Sequence, residues 1–227
     1  MGRSTTRYID FSLLKARLPS SATVVKLMMA GNDMALANQS LGKWKTEFEA
    51  TRGGRSWGAS LWAIRAQISY MYEGLNIIKA IAADPQLMQV LERCDQRTQQ
   101  SFETLKTYVE PGEKLKELEA IAGRIRNTVS FHYDESGKQV MRAIGKLAQL
   151  GRSSSVTRAS VGPDWHFELA DRVVDEIVCG QIWNIAKSAD QSAEADKVIG
   201  KIHDVFLLFM DFAGEFIWRY TSAEYKR

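Results

Sequence analysis

The sequence predicts an all-α fold, an up-and-down bundle of about six to seven helices, and three observations predict it. Apolar residues recur at steps of three and four over segments long enough to be helices. No stretch alternates with the period of two expected of a half-buried strand. Turn chemistry stands between the periodic segments, at Thr51–Gly58, Asp84-Pro85, Pro111-Gly112, Asp134–Gly137 and Gly151–Ser160. With 227 residues, 45% of them hydrophobic and 25% charged, the chain has an ordinary globular composition and ample length for one large core. The expected layout is an N-terminal segment over 1–21, a helical core over 22–150, a linker over 151–163 and a helical pair over 164–227 packed on the core.

The first long helix is expected from Ala22 to Glu49. Leu27, Met34, Leu41 and Phe48 stand seven apart on it, with Val24, Met28 and Trp44 on the neighbouring rows. Thr51-Arg-Gly-Gly-Arg-Ser-Trp-Gly58 breaks it. The second helix, Ser60 to Ala83, carries Leu61, Ile64, Ile68, Met71, Leu75 and Ile78, the seam of a helix packed along its whole length. Asp84-Pro85 then reads as an N-cap followed by proline at the first helical position, where a missing N–H costs nothing. That third helix is expected to run through Leu87, Leu91, Cys94, Thr98, Phe102 and Leu105 to Tyr108, and Pro111-Gly112 closes it. The fourth begins near Glu113, with Leu115, Leu118, Ala122, Ile125 and Val129 as its apolar stripe, which His132 continues. A shorter helix follows through Val140, Ile144 and Leu147. Gly151-Arg-Ser-Ser-Ser-Val-Thr-Arg-Ala-Ser160 is the best candidate for a mobile loop. Two helices complete the chain: Asp164 to Lys187, with Leu169, Val173, Ile177 and Val178 inward, and Ala193 to Tyr220, with Val198, Ile202, Val205, Phe209, Phe212 and Phe216 inward.

The formal net charge of +3 permits contact with nucleic acid without demanding it. Residues 1–10 lack the apolar core of an export signal, and the longest unbroken apolar run, Val205 to Met210, is far short of a membrane span. A cytoplasmic protein without membrane contact is expected. Cys94 and Cys179 form no CxxC and stand in no zinc-ligand spacing, so two buried thiols, no metal and no cofactor are expected. There is no ExxH pair for a di-iron bundle, no GxxxxGK[ST] for a nucleotide triphosphatase and no GxSxG for a hydrolase elbow.

One stretch carries chemistry. Arg124-Ile-Arg126-Asn127-Thr-Val-Ser-Phe-His132-Tyr-Asp134 places an arginine, a small amide and a histidine at the end of an amphipathic helix. Arginine is a permanent cation whose planar fork of donors matches a phosphate. Histidine both takes and gives a proton near neutral pH. Arg126 and His132 are six apart, about 120° around an ideal helix. Convergence on one phosphate therefore needs a helix end or kink between them, the reach of the arginine stem, or two chains meeting across a symmetric interface.

Arg126-Asn127-Thr-Val-Ser-Phe-His132 resembles the R-x(4–6)-H signature of the HEPN superfamily (higher eukaryotes and prokaryotes nucleotide-binding), in which a polar residue follows the arginine. The run Arg-Asn-x-Val-x-Phe-His-Tyr-Asp looks like the form found in a group of uncharacterised bacterial members. The resemblance implies a core of four to five helices, a homodimer with two motifs facing one another in a cleft, and metal-independent endoribonuclease activity of the kind used by toxins and phage-defence effectors. An antitoxin or regulatory partner would accompany such a role. His132 would then act as general base on the ribose 2′-OH, Arg126 would stabilise charge gathering on phosphorus, and Asn127 would orient the phosphate or the imidazole.

The competing explanation of His132 is a satisfied helix-end histidine that closes the core, and of Arg124 and Arg126 a pair of favourable charges near a helix C-terminus. A catalytically inactive bundle that binds nucleotide, RNA or protein shares the same fold. His166 and His203 stand alone and read as structural. Glu73, between Tyr72 and Gly74, either approaches the motif cleft or is a paired carboxylate. Arg152 and Arg158, among serines, either touch a nucleic-acid backbone or belong to a solvated linker. Phe209, Phe212 and Phe216 either pack the core or line an apolar ligand cavity.

Overall fold

A computed structural model describes residues 6, 8–9, 11–17, 19–51, 54–126, 136–158, 160, 166–185 and 191–222. Within them the side chains at 13, 48, 49, 51, 54–56, 191 and 192 are not described. The described residues form an all-α bundle: α1 Phe11–Lys15, α2 Ser20–Thr51, α3 Gly54–Ala82, α4 Pro85–Leu91, α5 Gln96–Lys106, α6 Glu113–Leu118, α7 Lys138–Gln149, α8 Glu168–Asp175 and α9 Gln191–Ser222. Helices α6 and α8 continue into π-helical turns, Glu119–Gly123 and Glu176–Ile182. The only pairing of extended backbone among the described residues is one bridge between Thr157 and His166.

Helices α2 and α3 form the long hairpin at the centre, and α9 packs across it beside α5. The seam predicted on α3 holds at every position, with Leu61, Ile64, Ile68, Met71, Leu75 and Ile78 all buried. Facing it are Val24, Leu27 and Met34 of α2, Phe102 and Leu105 of α5, and Ile202, Val205, Phe209, Phe212 and Phe216 of α9. The aromatic members pack as tilted pairs, Phe102 with Phe212 at 5.1 Å and Phe212 with Phe216 at 5.0 Å between centroids. They are core, and the cavity that α9 would need to be a ligand box is filled. Gly74 admits α9 close to α3, because a Cβ there would meet the Phe209 ring at 2.7 Å.

Three expectations are corrected. The helix opened by Pro85 does not run on to Tyr108: it ends at Leu91, and Asp95 caps a new one, accepting the Thr98 N–H at 2.7 Å. A cap side chain starts a new helix even where the apolar period continues. The interruption after α2 is narrower than the Gly-rich stretch suggests, since helix resumes at Gly54. On α7 the buried residue is Ala143, while Val140 and Ile144 are exposed, and on α8 Leu169 is 47% exposed and not inward. Next to α8, Thr157 and His166 exchange two backbone hydrogen bonds, and Ser155 Oγ donates to Glu168 at 2.7 Å.

The predicted Asp84 cap is present. Its carboxylate accepts from the Gln86 N–H at 2.8 Å, the Leu87 N–H at 3.3 Å and Ser20 Oγ at 2.7 Å. Burial pushes this carboxyl up, but the three hydrogen bonds outweigh it and hold Asp84 below the usual range. Ser20 belongs to α2, so one carboxylate both starts α4 and pins it to the first long helix. Cys94 and Cys179 are buried free thiols.

Candidate functional site

Helix α6 delivers Arg126. Leu118, Ala122 and Ile125 are buried as the stripe predicts, which anchors one face of the helix against the core. Between them the chain widens into the π turn of Glu119–Gly123, a form that appears mostly as single turns inside α-helices, often at functional sites. A π turn misaligns the helical ladder and leaves a carbonyl open to an outside donor. Trp183, just past the π turn of α8, supplies one: its indole N–H donates to the Ile121 carbonyl at 2.7 Å. The two π segments are thus joined by a hydrogen bond that stands five residues before Arg126.

Gly123 brings the same turn close to α3, where a Cβ would stand 3.0 Å from the Tyr72 hydroxyl. That hydroxyl is buried and has no hydrogen-bond partner among the described residues. Burial, reinforced by the Glu119 charge and opposed by Arg126, pushes the Tyr72 phenol up to about 12. It is therefore a neutral donor at any physiological pH.

Arg126 lies over this tyrosine, its guanidinium carbon 5.9 Å from the ring centroid. Its Nη2 donates to Glu73 Oε1 at 2.5 Å. The two side chains are 39% and 51% exposed, so the pair sits at the surface and water reaches it. Glu73 is a paired carboxylate, though exposed and not partly buried as the sequence reading has it. Asn127 and His132, the other two predicted site residues, lie outside the described residues, as does Val129. Of the predicted triad, then, Arg126 alone is placed, with Glu73 and Tyr72 as its neighbours. Arg124 is exposed.

The two other histidines have partners of their own. His166 Nε2 pairs with Asp171 Oδ2 at 3.1 Å, and His203 stacks on Phe206 at 5.6 Å. No cluster of three or more His, Cys, Asp or Glu side chains among the described residues is placed to hold a metal ion, and no described helix is long and apolar enough to cross a membrane. Two concave sites lie away from Arg126. One, between α7 and α8, is lined in part by Leu147, Arg152 and Val173; the other, at the α1–α4 corner, by Arg17, Arg93 and Tyr220.

Tyr72 and Trp183 escaped the sequence reading. Tyr72 precedes Glu73 on a helix whose apolar seam drew all the attention, and its aromatic ring gave no separate signal. Trp183 acts on a carbonyl 62 residues away, a relation that no local spacing encodes. No family model matches the chain, nor does any curated protein or solved structure.

Proposed function

We propose that this chain is a metal-independent endoribonuclease of the HEPN kind, acting as a homodimer on RNA in the cytoplasm, with an antitoxin or regulatory protein as its restraint. The observation that carries the reading is the setting of Arg126. Its guanidinium is held from two sides, by the Glu73 carboxylate and the Tyr72 ring, at a half-open surface on the motif helix. A guanidinium has five N–H donors, and Glu73 takes one of them. The others have no partner among the described residues and can meet a phosphate in the fork geometry that arginine is suited to. In this reading Glu73 aims the fork, Arg126 stabilises the charge developing on the pentacoordinate phosphorus, Asn127 orients the phosphate, and His132 takes the 2′-OH proton. Attack by the 2′-oxygen on phosphorus expels the 5′-oxygen of the next nucleotide. The products are a 2′,3′-cyclic phosphate and a 5′-hydroxyl, and DNA is refractory.

Purified protein is expected to cut single-stranded RNA in excess EDTA, and His132→Ala is expected to lose about 10²–10⁴-fold in rate. Arg126→Ala is expected to be equally inactive. If wild type and both variants leave a varied set of RNAs equally intact, or cut them equally, the ribonuclease reading is wrong.

The same ion pair favours a second reading. Glu73 neutralises the arginine that a phosphate would need, which suits a catalytically inactive module that binds nucleotide, RNA or a protein partner. RNA bound without being cut, with binding that Arg126→Ala weakens, is the result that selects it.

A further inference from the structure

Helix α7 is amphipathic, yet the fold covers only one edge of its apolar side. At 100° per residue, Ala143, Leu147, Val140, Ile144, Ala148 and Met141 span an arc of roughly 160°. Ala143 faces the core, whereas Met141 is 63% and Ile144 49% exposed. Beside this open edge, α7 and α8 enclose a groove of about 430 Å³, within the range of small-molecule sites. Its floor is apolar: Ile144, Leu147 and Ala148 from α7, Leu169 and Val173 from α8.

The two ends of the groove differ in charge. The helices run antiparallel, with Ser155 bonded to Glu168 at one end and Lys146 paired with Glu176 further along. Arg152, Ser153 and Ser154 line the first end. Asp175, the residue before Glu176, lines the other. Arg172 also borders the groove, but its Nε and Nη2 both donate to Glu168 Oε1, at 3.2 and 3.0 Å, which cancels its charge. Arg152 has no acidic partner among the described residues. Its backbone is nevertheless fixed, because α7 ends in a Schellman motif. Gly151 takes φ 61°, its N–H bonds the Ala148 carbonyl at 2.9 Å, and the Arg152 N–H bonds the Leu147 carbonyl at 3.0 Å. A cation is thereby held at the mouth of an apolar trough.

We propose that the groove between α7 and α8 binds a small amphiphilic carboxylate, with its apolar chain on the Ile144–Leu169 floor and its head group on Arg152. Charge argues against a second copy of this chain in the same place. The charged residues of α7 are Lys138, Arg142 and Lys146, with no acidic one among them, so a symmetric pairing of α7 with itself would bring like charges together.

The test is a calorimetric titration of the full chain with decanoate and, as a head-group control, with decyltrimethylammonium, both far below their micellar concentrations. One decanoate per chain is expected, bound at least tenfold more tightly than the cation. Arg152→Gln is expected to weaken decanoate tenfold or more without changing the circular dichroism. Ala148→Phe, at an exposed position of the floor, is expected to abolish binding; should that variant fold poorly, Leu169→Asp, also exposed, serves the same end. No binding by wild type, equal binding of both head groups, or indifference to Arg152→Gln or to the floor variants would overturn the proposal. A concentration-dependent dimer that Ala148→Phe dissociates, with no decanoate bound, would give the groove to a second copy instead.

Discussion

The side of the bundle built from α3, α5 and α9 and the side built from α6, α7 and α8 solve the packing problem differently. On the first, large apolar side chains meet in tilted aromatic pairs, and a glycine at position 74 admits a ring against the backbone. On the second stand both π turns, and against the first of them lies the Tyr72 hydroxyl of α3, which has no hydrogen-bond partner among the described residues. The Glu176 carboxylate there has a fully buried side chain, and most of the apolar arc of α7 is left in solvent. Interiors of the first kind supply stability, since burying apolar area is the dominant favourable contribution to folding. Interiors of the second kind give up stability and hold side chains in settings that a uniform core would not allow. Arg126 and the α7–α8 groove both lie on the second side.

The contrast breaks most directly at Phe212. Phe212→Ala removes a ring that contacts both Phe102 and Phe216 in a site with no exposure, and a loss of about 3–5 kcal/mol is expected in urea unfolding. Below the lowered melting temperature, RNA cleavage and decanoate binding should persist. If either vanished while the variant remained folded, the two sides would not be separable. On the other side, Lys146→Met is expected to cost about 3 kcal/mol. It removes the cation that pairs with the buried Glu176 carboxylate at 2.8 Å. Adding Glu176→Gln should recover most of that loss. An additive double variant would show that the pair is not a coupled unit.

The first side was legible in the sequence and the second largely was not, for a physical reason. Steps of three and four report which face of a helix is buried, so along the inward seams of α3 and α9 Leu61 through Ile78 and Ile202 through Phe216 fell where the period put them. The Asp84-Pro85 cap was equally plain, because its partners are the next two N–H groups. Asp95 was missed because the apolar period runs through it. On α7 the period was real, but it did not say that most of the arc would remain uncovered. The π turns leave no mark in apolar spacing, since Leu118, Ala122 and Ile125 keep their register across one. Arg126 was found by its chemistry and not by its period; Tyr72, Glu73 and Trp183 surround it through contacts that only folding creates. Trp183→Phe sharpens this point. It keeps the ring and deletes the N–H that the Ile121 carbonyl accepts, for an expected loss of about 1–2 kcal/mol. Hydrogen exchange of the α6 amides should accelerate while that of α9 stays unchanged. Uniform acceleration in both helices would mean that the bond supports the whole fold and not the motif helix.

The smallest expected effect on stability is the one that decides most about function. Arg126 and Glu73 form a surface pair, and exposed pairs of this kind contribute about 0–1 kcal/mol. A double-mutant cycle of Arg126→Ala and Glu73→Gln is therefore expected to give a coupling below about 1 kcal/mol in unfolding, reduced further by added salt. The functional coupling should be larger and separable from it. If Glu73 aims the guanidinium at phosphate, Glu73→Gln keeps the neutral hydrogen bond but loosens the aim, and cleavage falls while RNA binding holds or tightens as one negative charge leaves the surface. If Glu73 instead silences Arg126, the same substitution frees the cation, and RNA binding strengthens in wild type but not in the Arg126→Ala background, with no cleavage in either. A substitution that alters neither binding nor cleavage would reduce the pair to a surface ion pair, and Arg126 would lose the one feature of its surroundings that argues for a phosphate.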